Sequence, residues 1–135
     1  MKATAKRRQG YAHSLTAGSH ALIADEPHEQ GGSDSGPTPG QLLALSLASC
    51  TAITLEMYAD RKGWDVGDLE VEVDYEFGEG EVPTRYDVIL KLPEGLSDEQ
   101  VERLRVVAGK CPVHRALIGE VEITDVVERA AAPRR

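Results

Sequence analysis

Aromatic residues are scarce in this chain: one Trp, four Tyr and one Phe among 135 positions. Any core it builds must therefore be aliphatic, and the length fits a single domain, 1–135, with no internal repeat. Basic residues are outnumbered, 15 Lys and Arg against 23 Asp and Glu, for a formal charge of -8. Nucleic acid needs a basic face against its phosphates, so it is excluded as a general partner. Long apolar runs are missing too. The start, MKATAKRRQGYAHSL, has basic residues but not the apolar segment that a secretory leader places after them. The uncharged run Gln41 to Leu55 falls short of the roughly 20 residues of a spanning helix. A cytoplasmic protein with no membrane partner is expected. Cysteines number only two. In a reducing compartment such a pair is seldom a permanent staple and more often does redox or metal chemistry.

What is present has clear punctuation. Short strands are expected near 2–8, 11–16 and 20–24, within an N-terminal strand region 1–25. DEPHEQGGSDSGPTPG then reads as loop, with a crossing segment over 26–38. Thr38-Pro39-Gly40-Gln41 supplies an N-cap, a proline at the first helical position and a capping-box glutamine. A long helix over 39–62 should follow and stop at Gly63. Its apolar residues lie on nearly all sides, which predicts a buried central helix. DLEVEVDYEF alternates strictly and TRYDVILKL returns after a GEGEVP turn, giving an antiparallel hairpin over 68–92. Over 97–127 the pattern predicts a helix from 98 to 108 capped by Ser97, a short helix from Pro112 to about Ile118, and a strand near 120–127. Residues 128–135 form a tail. The class is α+β, with antiparallel sheets around a long buried helix.

The two cysteines sit in unlike settings. KCPVHRALIG puts Pro112 at a first helical position and Cys111 at the N-cap, where unpaired N–H groups and the helix dipole favour a thiolate. His114 and Arg115 could add positive charge. Cys50 lies inside LLALSLASCTAITLEMYADRKG, mid-helix, with no cation within a turn. Inert core thiol, disulfide half, metal ligand and nucleophile all remain open for it, and composition alone favours the core thiol. Cys111-Pro-Val-His114 is half of a zinc ligand set, but structural sites need a second close pair and the spacing supplies none; no metal or cofactor is expected. His13 and His28 read as ordinary strand and loop residues. GGSDSGPTPG lacks the lysine ending of a phosphate loop and reads as a linker. Glu70, Glu72, Asp74 and Glu76 are the solvated face of a strand, and Trp64 and Tyr58 should pack at the end of the central helix or at a subunit interface.

Taken together, GGSDSGPTPGQLLALSLASCTAITLEMYADRKGW, KCPVHRALIGEVEI and the N-terminal AGSHALIADEP resemble the OsmC/Ohr family of thiol-dependent hydroperoxide reductases. The resemblance covers most of the chain. It implies an intertwined homodimer whose long central helices pack under the sheets, with active sites shared between subunits. It implies that Cys50 attacks an organic hydroperoxide to give a sulfenic acid and an alcohol. Cys111 then resolves the sulfenic acid into a Cys50–Cys111 disulfide, and a thiol or dithiol reductant resets the pair.

The family pattern also has an arginine at the first cysteine, held by a glutamate that precedes it on the helix. The corresponding position here is Gly40 or Gln41, and neither carries charge. Gln41 could orient an arginine only through its neutral carbonyl. The resemblance points to Arg8, with Arg7 as alternate, for the arginine; Glu26, Asp25 or His20 could supply charge instead, and His114 could tune Cys111. Two functions from different classes follow: a cysteine-based hydroperoxide reductase, or a stress-associated dimer that binds an apolar small molecule with little turnover.

Overall fold

The computed structural model describes residues 1–129. β1 (Ala3–Gln9), β2 (Ala12–Ala17) and β3 (His20–Ala24) form an antiparallel meander. α1 (Pro39–Lys62) follows the loop, and then β4 (Glu70–Phe77) and β5 (Pro83–Lys91) make a two-stranded antiparallel sheet. α2 (Asp98–Ala108) and α3 (Pro112–Ile118) complete the α+β fold. The expected tail residues 130–135 lie outside the described residues.

Local chemistry accounts for the boundaries. Thr38 Oγ1 accepts from Gln41 N at 3.1 Å while Gln41 Oε1 accepts from Thr38 N at 2.9 Å, closing the capping box of α1. Gly63 ends the helix at φ 70°, a left-handed conformation that suits glycine, and its N–H reaches back to Asp60 O. Ser97 and Gln100 repeat the same box on α2. In the hairpin the alternation sets the register: Val71 faces Leu90, Val73 faces Val88 and Tyr75 faces Tyr86.

The core is aliphatic and small: Leu55, Ala59, Val66, Leu104 and Val107, flanked by Tyr58, Trp64, Leu69 and Leu90. α1 contributes one buried stripe, Ala44, Leu47, Thr51, Leu55 and Ala59, spaced so that all face β4, α2 and α3. Its other side is apolar yet bare, with Leu45 56%, Ile53 54% and Met57 62% exposed. The all-round apolar pattern thus produces a helix that its own chain covers on one side only. By length and a mean hydropathy of 1.5 the helix would also pass for a membrane-crossing one, which the count of uncharged residues alone does not suggest. The packed stripe marks it as a core helix. No residue before Ala24 is buried, so the meander does not share this core.

One expected element is corrected. Residues 120–129 carry no regular structure and stay exposed, Ile123 at 81%. A strand exists only by pairing, and among the described residues none pairs with this stretch.

The crossing loop is organised by a buried carboxylate. Asp25, 2% exposed, accepts from the N–H groups of Glu26 (2.7 Å), Ser33 (3.2 Å) and Ser35 (3.1 Å) and from Ser35 Oγ at 2.6 Å. Those bonds, the Ser35 hydroxyl foremost, hold its pKa down at about 2. The sign follows: the carboxylate's contribution is complete above its unfolded value of 3.8 and is lost as pH falls towards about 2. Asp25→Asn should therefore melt below wild type at pH 6, with the gap closing across that window in a series of thermal melts. A constant gap would contradict this role.

Candidate functional site

Two helices deliver the two cysteines to one place. α1 holds Cys50 beside its buried stripe, one residue before Thr51. α2 leads into a tight turn in which Gly109 N donates to Val106 O (3.2 Å), Lys110 N to Val107 O (2.9 Å) and Cys111 N to Ala108 O (3.3 Å). Val107 is buried against α1's core residues, so this turn fixes where Cys111 lands. Pro112 then starts α3 with Cys111 at its N-cap. Both cysteines are free thiols; Cys50 is partly open to solvent and Cys111 is wholly buried.

Each thiol acts on the other, and their surroundings shift the two in opposite directions. Burial, then donation to the Cys111 sulfur, pushes the Cys50 thiol above its ordinary value against the opposing Val113 N–H and Thr54 hydroxyl. Burial also pushes Cys111 up, but hydrogen bonds from Cys50, from the backbone N–H groups of His114 and Val113 and from Thr51 outweigh it, and Cys111 sits below. The Thr51 hydroxyl is buried, 1% exposed, and has no hydrogen-bond partner. The Cys111 thiolate is the acceptor that would satisfy it. The first proton to leave the pair is therefore that of Cys111, with the Cys50 thiol as the neighbouring donor. A thiolate absorbance titration should show a first ionisation below 9.0 and a second above it. Cys50→Ala should move the first upward by removing a donor, whereas a single wild-type step near 9.0 would contradict these opposite shifts.

An apolar groove of about 390 Å³ is lined among others by Leu43, Leu47, Tyr86, Val88, His114 and Leu117, residues of the helices that carry the two cysteines and of β5. Leu47 is one turn before Cys50 on α1, and His114 is in the first turn after Cys111. The Tyr86 hydroxyl is buried without a hydrogen-bond partner. Arg85 also borders the groove, but its guanidinium is forked onto Asp87 at 3.0–3.2 Å.

The supporting residues expected from the sequence are not brought to the thiols within one chain. Arg7 Nε donates to Gly10 O at 3.0 Å in the first hairpin. Arg8 is the unpaired residue where the β1–β2 register shifts, and it is exposed. No cation is among the groups that shift either thiol. Gln41 spends its carbonyl on the capping box. Glu26 lines a different hollow with Gln41, Tyr75, Phe77 and Glu81, Asp25 holds the loop, and His20 is exposed on β3. His114 acts on Cys111 through its backbone N–H. A Cβ on Gly40 would lie 2.8 Å from Phe77 Cζ, so a glutamate there fits only if that ring swings away. Among the described residues no three His, Cys, Asp or Glu side chains gather as metal ligands do.

Sequence reasoning passed over Thr51 and Thr54. For Thr54 the signal was available, since a hydroxyl four positions after Cys50 lies beside it on a helix, whereas Thr51 points away from Cys50 and acts on Cys111. The groove was not legible, because it joins α1, β5 and α3.

Two free cysteines, one on the core helix and one capping the helix packed against it, define an α+β protein with a paired-thiol centre. Residues 32–124 match the family model for OsmC-like proteins, and the chain belongs to that family. Its structure is similar to a Psychrobacter arcticus protein described as an osmotic stress induced and detoxification response protein (TM-score 0.79, 20% identity, 86% of this chain and 87% of the other). At that identity the likeness concerns the fold alone. It is also similar to a Vibrio cholerae protein described for organic hydroperoxide resistance, with captopril bound in one of its active sites (0.63, 26%, 88% and 85%). A third is the organic hydroperoxide resistance protein OhrB of Bacillus subtilis (0.57, 25%, 90% and 94%). No curated protein matches the chain in sequence.

Proposed function

We propose that the protein is a cysteine-based peroxidase that reduces organic hydroperoxides to alcohols. The observation that carries this reading is the pair itself: Cys50, partly open to solvent, and a buried, more acidic Cys111 that act on each other. The Cys111 thiolate takes the Cys50 proton as a general base. The Cys50 sulfur attacks the distal peroxide oxygen, the O–O bond breaks, and the leaving alkoxide is protonated to the alcohol. Cys50 is then a sulfenic acid. The Cys111 sulfur, its proton passed to solvent, displaces hydroxide from it to form the disulfide, and water is the second product. An external thiol or dithiol returns both cysteines to thiols. The apolar groove and the unpartnered Tyr86 hydroxyl support a substrate with an apolar body and one oxygen terminus.

A homodimer belongs to the same reading. Leu45, Ile53 and Met57 line one bare side of α1, and a second copy of the helix is the cover that the family pattern implies. Ile53→Glu should convert a dimer into a monomer in sedimentation equilibrium and lower its melting temperature. A wild-type monomer would contradict the dimer.

Steady-state assays with a dithiol reductant test the reaction. Cumene hydroperoxide should turn over at least about ten-fold faster than hydrogen peroxide at equal low concentration, as filling an apolar groove allows. No turnover of either would overturn the proposal. A second reading, a dimer that holds an apolar small molecule with little turnover, draws on specific features: no cation acts on either thiol, and Phe77 fills the space beside Gly40.

A further inference from the structure

The C-terminal end of α1 gathers positive charge that no ion pair among the described residues answers. The chain is acidic overall, yet Arg61 Cζ, Lys62 Nζ and Arg103 Cζ stand 5.9, 5.7 and 5.6 Å from the centroid of one ring, Tyr58. Lys110 adds its field to the same hydroxyl. Among the described residues the ion pairs use Arg85, Lys91 and Arg105, and none of these four. The dipole of α1 favours Arg61 and Lys62 in its last turn. It does not account for Arg103, which comes from the middle of α2, or for Lys110, which follows it.

The tyrosine is held in place and its polar end is incomplete. Its ring packs against the core and stands edge-on to Trp64, with centroids 5.6 Å apart. The hydroxyl accepts from Arg103 Nε at 2.9 Å, and its own O–H meets no acceptor among the described residues. A fixed O–H donor ringed by four unpaired cations from three segments is half of a charge-assisted hydrogen-bond network, and the missing half is an oxyanion.

From this geometry we propose that Tyr58, Arg61, Lys62, Arg103 and Lys110 form a binding site for a small dianion, a phosphate or a dicarboxylate. The anion accepts from the Tyr58 hydroxyl and the Arg103 guanidinium and is balanced by the other three cations. The hydrogen bond from Arg103 first, and then the charge of Arg103, Lys62 and Lys110, hold the phenol's ionisation below its ordinary value in the free protein. Anion binding should push it back up. The site is independent of the thiols, since Tyr58 is two helical turns beyond Cys50 on α1.

Trp64 is the sole tryptophan and abuts Tyr58, so its fluorescence reports the site directly. Inorganic phosphate and succinate are titrated into the reduced full-length protein at constant ionic strength set with sodium chloride. Saturable change with phosphate alone assigns a phosphoryl ligand, with succinate alone a dicarboxylate, and with both a general dianion site; each supports the proposal. Arg103→Gln should weaken the response about ten-fold and Tyr58→Phe by less, while Lys6→Gln on β1 leaves it unchanged. Two results would overturn the site. One is a response to neither anion beyond that of chloride, and the other is an affinity that Arg103→Gln and Lys62→Gln together do not change. Circular dichroism of each variant separates lost binding from lost folding.

Discussion

Cys50→Ser should reduce hydroperoxide turnover by at least about 10³-fold, because a serine hydroxyl is far less acidic and less nucleophilic than a thiol. Cys111→Ser should behave differently in two ways. It removes the thiolate that accepts the Cys50 proton, so the first oxidation should slow by about 10² at pH 7. Burial already pushes the Cys50 thiol above its ordinary value, so above that point Cys50 ionises unaided and the deficit should shrink as pH rises. It also removes the resolving sulfur, so a Cys50 sulfenic acid should persist and react with a dimedone trap. Stopped-flow oxidation across pH 6–10 reads both effects. A pH-independent deficit in Cys111→Ser would remove the general-base role while leaving the resolving role standing.

The second large effect is on stability. Leu55 and Leu104 are both fully buried, 0% exposed, and belong to one core cluster between α1 and α2. Leu55→Ala or Leu104→Ala should each cost about 2–5 kcal/mol of unfolding free energy, the lost transfer plus the cavity left behind. The core has few buried members, so little else is present to collapse into the gap. Because the two residues share a cluster, the double variant should depart from additivity. Val101→Ala, at a position 39% exposed, should cost under about 1 kcal/mol. Urea denaturation measures all four variants. Leu104 also anchors the helix that leads to Cys111, so Leu104→Ala should loosen the thiol pair and raise the first thiol ionisation towards its ordinary value.

Most of the fold was legible because its signals are local. The capping boxes at Thr38 and Ser97, the glycine at 63 and the strict alternation from Leu69 to Phe77 each name their element through contacts made within a few residues. Cys111 was legible as an N-cap for the same reason, through Pro112. What depended on distant packing was less so. The apolar surround of α1 says that the helix must be covered, but not that its own chain covers only the stripe from Ala44 to Ala59. Alternation at Val121 and Ile123 suggests a strand, yet pairing is a property of two segments, and within the described residues this one has no mate. The influence of Cys50 and Cys111 on each other joins α1 to the start of α3, some sixty residues apart, and no window of sequence displays it.

The departures of the site have physical meaning as well. With Gly40 under the Phe77 ring and Gln41 closing the helix cap, the start of α1 offers no carboxylate to hold an arginine. In the proposed mechanism, activation would come from proton transfer within the pair, aided by Thr51, Thr54 and the first-turn N–H groups of α3. An arginine brought by a second subunit would add to it. Arg8→Ala and Arg7→Ala in the dimer separate the two contributions: a loss of about ten-fold or more for either assigns it the role, and unchanged rates leave activation to the cysteine pair.

The central claim is that Cys50 and Cys111 are oxidised together by an organic hydroperoxide. Intact mass and free-thiol count, taken after one equivalent of cumene hydroperoxide is added to fully reduced protein, test it most directly. The account expects both thiols to disappear within seconds, a mass about 2 Da lower, and a single peptide pair joining Cys50 to Cys111 in one chain. Survival of both thiols through many minutes in excess peroxide would contradict it, and the pair would then be a packing feature of a binding protein.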